Sequence, residues 1–161
     1  MDSTLQPRQA LARISHAKNR MEGPDTFAGH AWTPRDQQLG RLYAKYLETL
    51  RAASALDFDD VLLKTVELLE NTSLRQRYSD KFLYLMVDEY QDTNRPQYLL
   101  IHRLASAHHN LCVVGDPDQS IYKWRGADLR NILDFEHDFP ETRTVRLDRN
   151  YRSTQVILSA A

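Results

Sequence analysis

The sequence has a single cysteine, no long apolar run and almost no net charge. Cys112 lies in the apolar stretch 111–114, where we expect a buried structural thiol rather than a disulfide or a metal ligand. No stretch approaches the roughly 18 apolar residues of a membrane span, and the first residues lack the basic and then apolar pattern of a signal peptide. These absences favour a cytoplasmic protein without a membrane partner.

Charge and glycine content narrow the possible functions further. The sequence has 21 Lys and Arg against 22 Asp and Glu, so any contact with a polyanion has to be local. A P-loop needs a glycine followed by Lys and then Ser or Thr, because its backbone amides and ammonium group hold phosphates. The five glycines are followed instead by Pro24, His30, Arg41, Asp116 and Ala127. The sequence therefore contains no P-loop.

The first half of the chain has the periodicity of helices. Apolar residues recur every three or four positions from Asp36 to about residue 50, which predicts one helix with a buried face. A helix is also predicted over residues 8–20, followed by a loop from Gly23 to Pro34. Asp57 is expected to cap a further helix, since Asp59 and Asp60 would lie in its first turn, where the helix dipole favours negative charge.

The second half alternates strand and helix patterns. Apolar runs over residues 82–87, 111–114 and 144–147 predict three strands, the first covered on both faces as in a parallel sheet. Asn94 and Gln97 form a plausible capping box for a helix between the first two strands, and another helix is predicted around residues 129–133. The pattern indicates an α/β layer after about Arg75 and a helical part before it.

Polar residues follow each predicted strand, where ligands bind in open parallel sheets. Asp88 and Glu89 follow the first strand and suit a magnesium nucleotide site, with one metal ligand and one base for an attacking water. A solvated acidic turn with Asp92 near a helix start is the alternative. Gln119, which follows the second strand, could reach the same ligand.

An aromatic and basic group follows Gln119. Tyr122, Trp124 and Arg125 suit stacking on unpaired bases, at about 1 to 3 kcal/mol for each stacked base, although core aromatics would fit the spacing equally well. After the third predicted strand, Arg152 supplies a cation that could face a phosphate.

Four segments, in this order, resemble superfamily 1 DNA helicases of the UvrD, PcrA and Rep type. The resemblance covers nearly the whole chain and rests on Asp57-Phe-Asp-Asp60, Val87-Asp-Glu-Tyr-Gln-Asp-Thr-Asn94, Val114-Gly-Asp-Pro-Asp-Gln-Ser-Ile-Tyr-Lys-Trp-Arg-Gly-Ala127 and Asn150-Tyr-Arg-Ser153. It implies an α/β fold, with a partial RecA-like P-loop NTPase domain (a parallel sheet with flanking helices) and a helical insertion subdomain. The implied divisions are 1–74 for the helical insertion, 75–148 for the first RecA-like domain and 149–161 for the start of the second.

The resemblance also implies ATP and Mg²⁺ as cofactors, with a role for each matching residue. Asp88 resembles the family's magnesium-associated aspartate, and Glu89, also near the metal, its general base for water attack on the γ-phosphate. Gln119 is similar to a glutamine that senses the γ-phosphate, and Arg152 to an arginine that stabilises the transition state. Tyr151 resembles a tyrosine near the adenine and ribose.

The same resemblance implies contacts with DNA. Tyr122, Trp124 and Arg125 match the family's single-strand contacts. Gln91 and Asp92 are expected to hold the acidic loop against that segment, although turn and cap roles are equally open. The implied partners are single-stranded DNA, DNA duplex junctions, and the remaining helicase domains with the P-loop and a second phosphate-contacting arginine.

The leading hypothesis is an internal piece of a 3′ to 5′ DNA helicase or translocase that does not hydrolyse ATP at a useful rate by itself. A sheet without its P-loop strand would expose an apolar edge, so marginal stability or self-association is expected. One alternative is a non-catalytic DNA-binding or partner-binding module derived from such a helicase. The other is a metal nuclease built on the acidic cluster, which leaves Gln119, Trp124 and Arg152 unexplained.

Overall fold

The computed structural model describes residues 5–160, so residues 1–4 and 161, at the outer ends of the predicted subdomains, lie outside it. Five helices form the first part of the chain: α1 (Pro7–Asn19), α2 (Pro24–Gly29), α3 (Pro34–Ala52), α4 (Phe58–Leu68) and α5 (Thr72–Lys81). The second part contains β1 (Leu85–Val87), α6 (Arg95–Ala105), β2 (Leu111–Val113), α7 (Arg130–Leu133), α8 (Phe135–Asp138) and α9 (Gln155–Ala160). No helix among residues 5–160 has the length and apolar composition that a membrane span needs.

The helical part has its own apolar core. Ala10, Ile14 and Ala17 of α1 are buried in one cluster with Leu39 and Tyr43 of α3. This contact confirms the two helices predicted from apolar periodicity, with starts one or two residues away from the predicted ones. Each helix thus buries one apolar face against the other, although Leu11 of α1 and Leu42 of α3 remain exposed outside this cluster.

The predicted loop between Gly23 and Pro34 is wrong for residues 24–29, which form α2. Pro24 stands in the first turn of this helix, where the missing N–H costs nothing because that position has no acceptor inside the helix. Asp25 adds negative charge in the same turn, which the helix dipole favours. Proline therefore begins a helix here instead of ending one.

Local cap chemistry confirms two predicted helix starts. Asp57 caps α4, with its Oδ1 accepting the Asp60 backbone N–H at 2.8 Å, and the Asp60 side chain accepts the Asp57 N–H in return. The Asn94 and Gln97 capping box begins α6 in the same reciprocal manner. Each pair satisfies backbone N–H groups that the helix itself cannot.

The sheet described here has two parallel strands, joined through α6. Leu85 pairs with Leu111, Met86 with Cys112 and Val87 with Val113. Helices α4 and α5 of the first part pack against α6, so the helical and α/β parts are in contact. A mixed α/β architecture with a parallel sheet agrees with the sequence.

Three sequence predictions about this sheet are wrong. Residues 144–147 form no strand; Val145 and Leu147 are 69% and 84% exposed, and no described strand lies beside them to complete a ladder of hydrogen bonds. Cys112 is exposed rather than buried, and Met86, beside it in the sheet, is 79% exposed. These two side chains share one face of the sheet, and no described element covers that face. The expected cover on both faces is therefore absent from residues 5–160.

Candidate functional site

The polar ends of both strands meet at one edge of the sheet. The Val114 N–H donates to the Val87 carbonyl at 2.8 Å, and the Tyr90 N–H donates to the Val114 carbonyl at 3.0 Å. These bonds continue the parallel pairing beyond the strands. They bring residues 88–92, here named the acidic turn, against the chain that leaves β2.

The acidic turn faces the carboxylates of Asp88 and Glu89 outward and its aromatic ring inward, whereas Asp92 is half-buried and its Oδ1 has no hydrogen-bond partner among the described residues. Asp88 and Glu89 are exposed, whereas Tyr90 is 1% exposed, with its ring centre 5.5 Å from that of Phe135 in an edge-on arrangement. Glu89 has the left-handed backbone angles φ 51° and ψ 41°, which cost a residue with a side chain on the order of 1 kcal/mol. Asp88 Oδ1 accepts the Glu89 N–H at 2.9 Å. The buried tyrosine thus anchors a strained turn that presents two carboxylates.

Gln91 connects the acidic turn with the loop after β2. Its side chain is fully buried, and its Nε2 donates to Glu89 Oε2 at 2.7 Å while its Oε1 accepts the Asp116 N–H at 3.0 Å. Its backbone carbonyl accepts the Ser120 hydroxyl at 3.4 Å. Both functions of one amide are therefore used to join the two strand ends.

Gln119 belongs to the same network. It ends a 3-10 turn (Pro117–Gln119), and its Nε2 donates to Asp116 Oδ2 at 2.8 Å. Three successive contacts therefore connect Gln119 to Glu89, through Asp116 and then Gln91. The structure brings together the side chains that the sequence assigned to two different strand ends.

Residues 122–127, here named the aromatic segment, present an exposed cationic and aromatic surface. Trp124 is 70% exposed, so its interpretation as a core aromatic is wrong. The Arg125 guanidinium carbon lies 4.7 Å from the Trp124 ring centre and 5.2 Å from that of Tyr122. Such a surface can stack on flat, electron-rich groups.

The aromatic segment is fastened to residues that follow the acidic turn. Ala127 forms an antiparallel bridge with Asn94, and the Asp128 N–H donates to the Thr93 carbonyl at 3.0 Å. Asn131, which is buried, donates from its Nδ2 to the same carbonyl at 3.0 Å. Sequence reasoning did not identify Thr93 or Asn131, because nothing in their spacing shows that they meet.

A buried charge cluster joins α1, α3 and the start of α4, and it was also missed. The Lys18 side chain is 0% exposed, and its Nζ lies 2.7 Å from both Asp57 Oδ2 and Asp60 Oδ1. The Tyr46 hydroxyl donates to Asp57 Oδ2 at 2.9 Å. Burial opposes ionisation of Asp57, but the hydrogen bonds from Lys18, the Asp60 backbone and Tyr46 outweigh it and hold the pKa of Asp57 below its ordinary value.

Phe58, at the start of α4, is a further exposed aromatic without a role in the sequence predictions. Its side chain is 94% exposed, next to Asp57 of the charge cluster. A single exposed aromatic ring of this kind is ordinary on a protein surface. The sequence singled it out only as part of the segment Asp57-Phe-Asp-Asp60.

Tyr151 and Arg152 interact with neighbouring residues rather than with the acidic turn. Tyr151 is 82% exposed with the Arg149 guanidinium carbon 4.9 Å from its ring centre, and Asn150 Oδ1 accepts the Arg152 N–H at 2.9 Å. Within residues 5–160, Arg152 forms no ion pair with Asp88, Glu89 or any other acid. The structure does not bring this predicted site residue together with the others.

The donor set of the acidic turn fits a magnesium ion held mainly by other ligands. Residues 5–160 contain no group of three or more His, Cys, Asp or Glu side chains placed to hold a metal. Mg²⁺ commonly takes one or two protein carboxylates and completes its octahedron with water and phosphate oxygens. Asp88 and Glu89 are oxygen donors of that kind, and the larger carboxylate cluster expected for a nuclease does not occur in this part of the chain.

Comparison with known proteins gives a consistent family. The model of the UvrD/REP helicase N-terminal domain matches residues 2–140. The chain is 49% identical over 156 residues to the ATP-dependent DNA helicase PcrA of Bacillus subtilis, covering 96% of this chain and 21% of that protein. It is 48% identical over 158 residues to the PcrA of Staphylococcus aureus strain Mu50, covering 98% of this chain and 22% of that protein.

Nearly all of this chain is matched, and it spans about a fifth of the length of those helicases. All four segments that suggested the resemblance lie in the matched chain, and the first three lie in the part matched by the family model. The chain belongs to the UvrD/REP helicase family.

Proposed function

We propose that these residues form part of the motor of an ATP-dependent 3′ to 5′ DNA helicase or translocase, which couples ATP hydrolysis to movement on single-stranded DNA and to duplex unwinding. The observation that carries the proposal is the series of hydrogen bonds from Glu89 through Gln91 and Asp116 to Gln119, on a segment that continues directly into the exposed Trp124. One continuous structure thus connects candidate nucleotide residues with a candidate base-stacking surface.

At the nucleotide, Glu89 acts as the general base and Asp88 as the magnesium-associated carboxylate. Gln91 Nε2 donates to Glu89 Oε2. The other carboxylate oxygen, Glu89 Oε1, has no hydrogen-bond partner among the described residues and is free to accept a proton from an attacking water. Bound Mg²⁺ supplies charge neutralisation for the phosphates. When ATP binds, Gln119 contacts the γ-phosphate in place of its present hydrogen bond to Asp116.

At the DNA, Tyr122, Trp124 and Arg125 bind unpaired bases. A ring with 70% of its surface in water offers a face for stacking, and the guanidinium beside it adds favourable charge near the phosphate backbone. Gln119 lies three residues before Tyr122, so a change in its contacts moves the chain next to the aromatic segment. Gln91 and Asp92 therefore serve the coupling between hydrolysis and stepping on DNA.

The proposal assigns the remaining functions to other parts of the helicase. Residues 75–148 belong to a RecA-like domain, residues 1–74 to its helical insertion, and Tyr151 and Arg152 to the start of a second RecA-like domain that closes on ATP. The P-loop and the second phosphate-contacting arginine come from outside these 161 residues, which contain no P-loop sequence. The 161-residue chain by itself is therefore not expected to turn over ATP at a useful rate.

A chimera tests this proposal. The chain replaces the matching segment of the Bacillus subtilis PcrA, and ATP turnover is measured with and without single-stranded DNA. We expect DNA-stimulated turnover, lowered by about 100-fold or more in Glu89→Gln, because general-base catalysis contributes about 10² to 10⁴. The matched control is Glu48→Gln, which changes a carboxylate on α3 whose single ion pair among residues 5–160 is with exposed Lys45. The proposal is contradicted if Glu89→Gln leaves turnover by the chimera unchanged. It is also contradicted if the 161-residue chain alone turns over ATP robustly and Glu89→Gln abolishes that activity.

A second candidate is a non-catalytic module that binds single-stranded DNA or a partner protein. The observation in its favour is that the chain has no P-loop while its aromatic segment is exposed. Single-stranded DNA binding by the 161-residue chain, together with a chimera that fails to hydrolyse ATP, favours this candidate over the motor.

A further inference from the structure

We propose that Asn19 is a positioning residue for DNA binding, which holds the aromatic segment in place by connecting it to α4 and to the start of α6. This inference rests on the proposed role of Trp124 at the DNA. Asn19 ends α1, is 7% exposed and lies in none of the segments assigned to nucleotide or DNA. Its contacts nevertheless reach three of the four segments that define the family resemblance.

Asn19 uses both ends of its side-chain amide. Its Nδ2 donates to Asp59 Oδ1 at 3.0 Å and to the Ser15 carbonyl at 2.8 Å. Its Oδ1 accepts a hydrogen bond from Asn94 Nδ2. Since a carboxylate can only accept, Nδ2 has to face Asp59, and this orientation leaves Oδ1 for Asn94.

Asn94 in turn is fixed on its other sides. Its Oδ1 accepts the Gln97 N–H at 3.0 Å in the capping box of α6, and its residue pairs with Ala127 in the isolated bridge. Nδ2 is the remaining polar group of this buried side chain, and Asn19 satisfies it. Leaving this buried amide without a partner would destabilise the fold, so the contact specifies where Asn94 and Ala127 lie.

Asn19 also limits the turn that ends the aromatic segment. Gly126 has φ 87°, and a Cβ added there would lie 2.8 Å from the Asn19 Cβ. The backbone of Gly126 therefore passes directly over Asn19, one residue after Arg125. Trp124 borders a groove against α1, whose wall includes His16, Ala17 and Arg20. The ring that is proposed to stack on bases thus takes its position from the end of α1.

An amide is the side chain that fits this place. A carboxylate at position 19 would still accept from Asn94 but would face the Asp59 carboxylate, which repels it at this distance. An apolar side chain would leave both Asn94 and Asp59 without their partner. Replacing Asp59 by Asn should therefore rescue a carboxylate at position 19 but not an apolar side chain. The experiment includes this rescue.

The experiment uses the 161-residue chain with Trp32→Phe, which leaves Trp124 as the single tryptophan of the two in the sequence. Binding of an oligothymidylate is measured by quenching of the Trp124 fluorescence, and the emission of the free protein reports the surroundings of the ring. We expect Asn19→Asp to weaken binding about tenfold, as loss of one buried hydrogen bond implies, and to shift the emission. Asn19→Asp with Asp59→Asn should restore both within about threefold, because the amide introduced at position 59 can then donate to the carboxylate introduced at position 19.

The matched control is Ile14→Val, which removes one methyl group from the α1 core but touches none of these contacts, so affinity and emission should stay unchanged. If Asn19→Asp does not fold, Asp59→Ala tests the same contact from its other side, with a smaller loss of affinity expected. An unchanged affinity and emission in the folded variant, or no recovery in the double variant, overturns the inference.

The two hypotheses fail in different ways. If the Trp32→Phe chain does not bind the oligothymidylate at all, the binding-module candidate fails, and the proposed DNA contact by Trp124 is decided by Trp124→Ala in the PcrA chimera. The positioning role of Asn19 is still decided in that case, since it requires the emission shift in Asn19→Asp and its recovery in the double variant.

Discussion

The Cβ position of Gly115 lies 2.6 Å from the Oε1 atom of Gln91, closer than any side-chain carbon can approach an oxygen. The same oxygen accepts the Asp116 N–H at 3.0 Å. The chain leaving β2 therefore reaches the buried amide only because position 115 has no side chain. Close approach, rather than a special backbone angle, explains this glycine.

Gly115→Ala should destabilise the chain by about 1 to 3 kcal/mol, because the new methyl group overlaps Gln91 and also lies 2.8 Å from Ile132 Cδ1. Urea unfolding measures the difference. Gly29→Ala is the matched control, since nothing lies within 4 Å of that Cβ and alanine suits the end of α2 better than glycine. Equal effects of the two substitutions would mean that the close approach at Gly115 has no energetic weight.

Lys18→Met should destabilise the chain by about 3 to 5 kcal/mol. The change leaves Asp57 and Asp60 close together without the ammonium group that now neutralises them at 2.7 Å. Lys45→Met removes an exposed ion pair with Glu48 on α3 and should change the free energy of unfolding by less than about 1 kcal/mol. A Lys18 variant as stable as its Lys45 counterpart would contradict the buried cluster.

Acid should weaken the fold through Asp57. Its pKa in the folded chain is held below the ordinary value, so the unfolded chain binds more protons as the pH falls below about 4. Stability supplied by this carboxylate is present above that range and is lost as the pH falls through the folded pKa. Urea unfolding from pH 5 to 2 should give a steeper loss for the original chain than for Asp57→Asn. Parallel pH profiles would exclude a contribution from Asp57.

Cys112 should react with a thiol reagent in the folded chain. Its side chain is exposed beside Met86, so no unfolding step has to precede the reaction. The rate with a disulfide reagent in buffer should approach the rate for the same chain in denaturant. A thiol that reacts only after unfolding, in a monomeric sample, would mean that this face of the sheet is covered. A rate that falls as protein concentration rises would indicate self-association through it.

Trp124→Ala in the PcrA chimera should raise the DNA concentration needed for half-maximal ATP turnover by roughly 5- to 150-fold, as loss of one stacked base at about 1 to 3 kcal/mol implies. The KM for ATP should change much less. Trp32→Ala removes the other tryptophan, which is 93% exposed, and should leave both values near those of the unsubstituted chimera. An equal rise in the KM for ATP would show that Trp124 does not act through DNA stacking.

Cap chemistry could be predicted from the sequence, and burial could not. Asp57 and Asn94 each bond to a backbone group three residues away, so the local sequence contains all that decides their geometry. Cys112 lies in an equally clear apolar run, but whether such a run is covered depends on which elements pack on it. The stretch 144–147 fails as a strand for the same reason, since its neighbours in space, rather than its composition, determine pairing.

The order of the candidate site residues along the chain predicted which side chains follow the strands, but not how they are connected. Lys18 and Asp57 are separated by 39 positions, and Asn19 and Asn94 by 75, so no local pattern indicates these pairs. Gln91 was identified from the resemblance alone, with a turn role equally open. Its complete burial and its three side-chain hydrogen bonds are properties of the folded chain.

The left-handed backbone at Glu89 has a consequence for laboratory evolution. Glycine and asparagine adopt φ near 51° with less strain than glutamate, so backbone preference and carboxylate chemistry favour different residues at this position. A library ranked only by heat resistance would tolerate replacements at position 89 that a library ranked by turnover discards. Comparing the residues that survive the two selections would separate the conformational cost of this carboxylate from its chemical use.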